Sequence, residues 1–255
     1  ESGGREIYKD QLRQFMNLIQ AGGRLIYCDE DAELNEMATH ARADIERRPY
    51  GIPNHRVEGG KTLLETKAGD VPLLVFGQHN LMNLEGARCV CEAAGIGAQK
   101  FYEAIASFKG AARRLELVAK GDSFVFYKDF AHSPSKLKAT TAAVRQQYPE
   151  RKLVAVMELH TFSSLQQEFL DHYRHCMDDA HTAIVYFNPH TIAHKKLPPI
   201  TKAQVMEAFG RADLRVFTDS EELRTFLRTQ RWEHQNLLMM SSGNFDGLDL
   251  SCLLT

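Results

Sequence analysis

The stretch Val125–Lys136, VFYKDFAHSPSK, decides how the chain is built. An apolar strand ends at Asp129, then His132, Ser133 and Pro134 make a turn, and a helix begins. From about residue 112 the same rhythm repeats. Strand-like runs SFVFYKDF, KLVAVME, TAIVYF, LRVF and NLLMMS alternate with helical stretches near 135–147, 164–179, 201–210 and 219–230. Regular alternation of strand and helix implies an α/β fold with a mostly parallel sheet and helices on both faces. Ligands of such sheets sit at the carboxyl ends of the strands, so chemistry is sought just after each apolar run.

Before that repeat, DQLRQFMNLIQ places Leu12, Phe15, Met16 and Ile19 at helical spacing, with AGG as the stop. A short apolar run RLIYC and a second helix over about 31–43 follow. Residues 49–78 are punctuated by Gly and Pro and read as strands joined by turns. GQHNLMNLEGARCVCEAAGI then enters a helix, with Asn80 as N-cap and Gly95 as C-terminal stop. AQKFYEAIASFKG gives a further helix carrying Phe101, Ile105 and Phe108.

A net charge of −2, with Lys and Arg scattered, leaves no footprint for nucleic acid. No apolar run approaches the ~18 residues of a membrane span, and no secretory signal opens the chain. The first argues against a membrane span and the second for the cytoplasm. Cys28, Cys89, Cys91, Cys176 and Cys252 are odd in number and scattered, as expected of reduced thiols. The chain opens on Glu1 rather than Met, as a piece of a longer protein does.

Gly59-Gly60-Lys61-Thr62 invites reading as a phosphate loop. That loop needs a further glycine five residues before the second, where this chain has His55, and a strand before it and a helix after it. Neither flank fits, and a hairpin turn with a surface lysine accounts for the tetrad. His190 and His194, four apart in FNPHTIAHKK, lack a third ligand and read as a surface loop, so no metal site is assigned. RRPYGIPNHR reads as a solvated face.

Three other stretches carry more. Asn80 and Asn83, three apart at a helix start, can lie on one face, and amides match the edge of an adenine. An N-cap followed by a surface amide is the plainer reading. Arg113 and Arg114 stand where the architecture changes and could clamp phosphates, or pair with surface carboxylates. Asp129, closing its strand, could accept from ribose hydroxyls or serve only its turn.

In this order the three resemble the Mur ligase family. They stand here as Gly77-Gln-His-Asn80-Leu-Met-Asn83, Gly110-Ala-Ala-Arg113-Arg114-Leu-Glu116 and Asp129-Phe-Ala-His132-Ser-Pro134. A fourth element, LVAVMELHTFSS, looks like the family's strand ending in His, and the similarity runs from about residue 5 to 247. The resemblance implies that residues 1–111 end the central ATPase domain and that 112–255 form a Rossmann-like C-terminal domain. It implies ATP and magnesium as cofactors, with UDP-N-acetylmuramate and an amino acid or peptide as partners. The phosphate loop, the magnesium ligands and the UDP-sugar domain would precede Glu1, leaving this piece inactive alone.

Carried over by position, Asn80 and Asn83 would face adenine, while Arg114 and Arg113 would approach phosphates or ribose. Asp129 would contact the ribose, with His132 at the interdomain cleft, and His132 and Arg114 would serve catalysis. His160, Thr161, Ser163, Ser242, Gly243, Asn244 and Phe245 would lie on the amine-substrate side. Phe130 and Ser133 depart from the usual Tyr and His of the third motif. The alanine-adding branch usually carries Arg where this chain has Ser164, and the Ser-Gly-Asn-Phe-Asp-Gly stretch resembles the recycling branch. That favours joining the murein tripeptide to UDP-N-acetylmuramate. An L-alanine ligase, or a non-catalytic nucleotide- or peptide-binding relative, is the alternative.

Overall fold

The computed structural model describes residues 2–253, and the side chains of 6–250 and Leu253; the Cys252 thiol lies outside them. The chain divides into two units. One gathers residues up to Arg56 with Leu63–Leu73 and Gln78–Phe108; the other takes Val57–Thr62, Leu74–Gly77 and everything from Lys109.

The first unit holds α1 (Ser2–Asn17), β1 (Arg24–Cys28), α2 (Ala32–Thr39) and β2 (Glu46–Tyr50), with β1 parallel to β2. Met16, Leu25, Ala38 and Ile45 form its small core. Asp31 caps α2 by accepting from the backbone N–H groups of Glu33 and Leu34 at 3.0 Å. A three-stranded sheet of β3 (His55–Glu58), β4 (Lys61–Thr66) and β5 (Gly69–Leu73) follows, then α3 (Gln78–Ala93) and α4 (Ala98–Ile105). Asn80 is not the N-cap: Gly77 takes φ 86° and the helix is under way at Gln78, so Asn80 sits in its first turn. Gly95 does end the helix, at φ 85° with Ile96 N–H donating back to Cys91 O at 2.9 Å. Phe108 is exposed instead of packing with buried Phe101.

The second unit contains β6 (Glu116–Lys120), β7 (Val125–Asp129), α5 (Pro134–Gln147), β8 (Lys152–Glu158) and α6 (Gln167–Leu170). It continues through β9 (Thr182–Tyr186), α7 (Pro189–His194), α8 (Lys202–Phe209), β10 (Arg215–Phe217), α9 (Ser220–Arg228) and β11 (Gln235–Met240). The sheet order is β10-β9-β8-β11-β7-β6, and every neighbouring pair is parallel except β6 with β7. Strand periodicity splits the core in two. Leu153, Ala155 and Met157 face a layer with Leu137, Val144 and Phe209, whereas Val154 and Val156 face Leu223, Leu227 and Phe245. Helices therefore cover both faces, as the alternating pattern predicts.

Two helical readings are revised. The 164–179 stretch is broken: Gln166 is extended, α6 lasts one turn, and His175 takes φ 61°. Tyr173, fully buried, stacks on Phe209 with centroids 5.2 Å apart, and that packing replaces continuous helix. Conversely, FNPHTIAHKK forms α7, because Asn188 caps it from His190 N–H and Pro189 fills the first turn, where no backbone donor is needed. His190 and His194 are exposed on it.

The Gly59-Gly60 pair forms the β3–β4 turn, with φ 56° and 74°. Gln147 of α5 locks it: its Nε2 donates to Gly60 O at 2.8 Å and its Oε1 accepts from the buried Thr62 hydroxyl at 3.0 Å. A Cβ on Gly60 would meet Tyr148 Cε1 at 2.6 Å. Strand leads to strand here, so the phosphate-loop geometry is absent from this tetrad.

Candidate functional site

β11, last of the strands among the described residues, inserts between β7 and β8, pairing Met240 with Asp129 on one side and Met157 on the other. β11 interrupts an otherwise monotonic strand order here, and the carboxyl ends of β7, β11, β8 and β9 deliver Asp129, Ser241, Glu158 and Tyr186 side by side.

On the β7 side, Asp129 holds the incoming chain. Its Oδ2 accepts from Leu115 N–H and its Oδ1 from Ala131 N–H, both at 2.7 Å. Arg113 and Leu115 take positive φ, 58° and 45°, and this bend is tied down by Phe130 N–H donating to Arg113 O at 2.7 Å. Arg113 lays its guanidinium 5.3 Å from the centre of the Phe130 ring and donates through Nη2 to Gly243 O at 2.5 Å. Arg114 is exposed, and its side chain makes no hydrogen bond or ion pair among the described residues. His132 is half-buried; its Nδ1 contacts Phe130 O at 2.7 Å, and its own carbonyl accepts from Tyr173 OH at 2.7 Å.

On the β8 side, Glu158 is buried and accepts from Ser241 Oγ and, at 2.9 Å, from Phe245 N–H. His160 Nδ1 stands 3.5 Å from its other oxygen. Thr161 and Ser163 hydroxyls lie 3.3 Å apart, and buried Ser164 donates to Thr161 O at 3.1 Å. The loop after β11 is contorted: Phe245 and Asp246 take φ 53° and 52°. Asp246 is gripped by the Tyr186 hydroxyl and by Asn188 Nδ2 at 2.5 Å. Burial, then Asp246, push the Tyr186 phenol far above its ordinary range, so it remains a donor. Ser242 Oγ is buried without a hydrogen-bond partner among the described residues.

A cleft of about 390 Å³ opens over this end of the sheet, lined by Arg113, Asp129, Ser241, Gly243, Asn244 and Phe245 among others. Five of the residues marked in the sequence, Arg113, Asp129, Gly243, Asn244 and Phe245, thus share one wall. Gly243 also packs on His160, which brings that residue to the same network. Arg114, Thr161 and Ser163 do not line the cleft. Asn80 and Asn83 belong to the first unit, half-buried and exposed on α3. Glu158, Ser241, Tyr186 and Asp246 escape the sequence reading. Among the described residues no group of three His, Cys, Asp or Glu side chains could hold a metal ion. None of their helices is long and apolar enough to cross a membrane.

Residues 113–243, just over half of the chain, match the family described as Mur ligase, glutamate ligase domain. The chain belongs to the Mur ligase family. The UDP-N-acetylmuramate–L-alanine ligase of Trichlorobacter lovleyi is 23% identical over 259 residues, covering 95% of this Mur ligase chain and 56% of that protein. MurF from Acinetobacter baumannii shares the fold with a TM-score of 0.69 at 17% identity, over 99% of this chain and 55% of its own. MurF ligase from Thermotoga maritima in complex with ADP does so at 0.64 and 15%, over 89% and 51%. The chain spans about half the length of the curated relatives it matches.

Proposed function

We propose that the chain is the C-terminal part of an ATP-dependent ligase that joins UDP-N-acetylmuramate to the murein tripeptide L-Ala–γ-D-Glu–meso-diaminopimelate in the cytoplasm. Residues 1–111 end its central domain and 112–255 form its C-terminal domain. A carboxylate oxygen of the sugar's lactyl group attacks the γ-phosphorus of ATP and releases ADP. The peptide's amine nitrogen then attacks the acyl carbon, phosphate leaves, and the nitrogen gives up a proton. Positioning and charge stabilisation supply most of the rate in such transfers.

Asp129 suits a ribose hydroxyl, since it closes β7 at the lining of the cleft and a carboxylate oxygen can accept from more than one donor. Arg114 offers an unengaged cation to phosphates, with Arg113 beside it and His132 close by; Asn80 and Asn83 offer amides to adenine. We assign neither the magnesium ligands nor the phosphate loop to residues of this chain. On the amine side we place His160, Thr161, Ser163 and the 242–245 loop.

Ser164 carries the choice of amine. The alanine-adding branch usually has an arginine there, suited to a free amino acid's carboxylate. Here the side chain is 1% exposed and spent on Thr161 O. The name of the Trichlorobacter relative favours the second reading, an L-alanine ligase. The full-length protein, given UDP-N-acetylmuramate, ATP and magnesium with either tripeptide or L-alanine, decides by product mass. Preference for alanine overturns the choice of amine. Binding of nucleotide with neither amine joined overturns the ligase and leaves a binding module.

A further inference from the structure

Glu158 lies where a carboxylate is costly to keep. It ends β8, a central strand of the six-stranded sheet, and is 2% exposed. Among the described residues no lysine or arginine pairs with it; its one ionisable partner within salt-bridge distance is His160, at 3.5 Å. A buried charge is retained only where surrounding groups satisfy it.

Those groups form one connected path. Glu158 Oε2 accepts from Ser241 Oγ and Phe245 N–H, and Ser241 Oγ accepts from Gly243 N–H at 2.6 Å. Gly243 O accepts from Arg113 Nη2 at 2.5 Å. The backbone of Gly243 presses directly on the pair: an added Cβ would lie 2.8 Å from Glu158 Oε2 and 2.9 Å from His160 Nδ1. Phe245 and Asp246 occupy the left-handed region, which a bulky residue such as Phe245 holds only when its surroundings enforce it. Glu158 enforces the first of them and Tyr186 with Asn188 the second.

We propose that Glu158 is the positioning residue of this site: one buried carboxylate sets the Ser241–Phe245 loop, and through it Arg113, while its second oxygen orients His160. Arg113 and His160 therefore keep a fixed mutual placement, although they arise 47 residues apart in sequence (160 less 113). What the two residues contact rests on the functional reading above; the linkage between them does not.

The test is hydrogen exchange on the full-length protein, together with KM for ATP and for the amine, in Glu158→Ala, Glu158→Gln and Gly243→Ala. In Glu158→Ala, exchange at Gly243 and Phe245 rises about tenfold or more, with a smaller rise across 113–116, and both KM values rise together. Glu158→Gln keeps a carbonyl acceptor for the loop but removes the charge beside His160. It therefore raises the amine KM while the ATP KM stays within about twofold. Simple destabilisation does not divide the two constants in this way. Unchanged exchange over 241–247 in Glu158→Ala overturns the proposal, and so does a rise there with 113–116 unmoved. If Glu158→Ala does not accumulate folded, Gly243→Ala pushes on the same pair from the loop side and must show the same joint change; wild-type behaviour in it overturns the proposal. If the wild-type protein joins neither amine, the ligase reading fails, and exchange alone still decides the linkage.

Discussion

Replacing Gln147 with leucine tests whether the Gly59–Thr62 turn is structural. The substitution roughly preserves volume in a side chain that is 4% exposed, but removes the donor to Gly60 O and the acceptor for Thr62 Oγ1. Thr62 is 1% exposed, so its hydroxyl finds no water in exchange. A buried polar group left unmade costs about 1–3 kcal/mol. Gly60 is half-buried and its carbonyl is partly rehydrated, adding roughly 1 kcal/mol. The sum is about 2–4 kcal/mol, measured as the loss in urea-unfolding free energy. Thr62→Val removes the stranded hydroxyl, so in the double variant the two losses overlap by about 1–2 kcal/mol. Strict additivity, or a Gln147→Leu cost below about 0.5 kcal/mol, would falsify the lock between this turn and α5.

Other outcomes follow from the same structure. Lys61→Ala leaves nucleotide affinity of the full-length protein unchanged by titration calorimetry, because the lysine rides an exposed hairpin; a tenfold loss would restore the phosphate-loop reading. Asp129→Ala lowers stability by about 1–3 kcal/mol and nucleotide affinity with it, while Asp129→Asn keeps one acceptor and loses less stability in thermal unfolding. Asp246→Asn is better tolerated than Asp246→Ala by about 1 kcal/mol, since asparagine accepts the left-handed conformation and still receives the Tyr186 hydroxyl. His181 is held below its ordinary 6.5, chiefly by burial and then by Arg145, Lys152 and Arg211. The unfolded chain therefore binds that proton first as pH falls. Stability from this group is complete above pH 6.5 and is lost as pH drops through 6.5 and then through the folded value. His181→Asn, which can still accept from Leu153 N–H, flattens that part of the stability–pH curve; an unchanged slope would count against it.

Much of the second unit is legible in sequence because apolar strands recur with helical stretches between them from Val125 to Met240, the broken 164–179 stretch and α7 apart. β6 is not: ELVAK offers only the three-residue apolar run Leu117-Val118-Ala119, and as an edge strand it leaves all its residues exposed but half-buried Ala119. Nor is the sheet order, since β11 could lie at an edge as easily as at the centre by local pattern alone. The site divides in the same way. Asp129 is marked by closing an apolar run and by partners two and fourteen residues away. KLVAVME closes on Glu158 with the same signal, yet its partners Ser241 and Phe245 are 83 and 87 residues on. Only the fold reveals what that carboxylate is for. Asn80 shows a lesser limit: a helix start is ambiguous by a few residues, and Gly77 resolves it through a backbone angle that sequence does not display.

The central place of β11 has a consequence for synthesis. While a ribosome is still making residues 235–240, β7 and β8 already exist as two apolar strands, each with one bare edge facing the gap. Unpaired edges of that kind recruit strands from other molecules. The nascent chain must stay shielded until its final strand threads between them, and chains terminated before Gln235 would leave the ribosome as aggregation seeds instead of shortened but soluble domains.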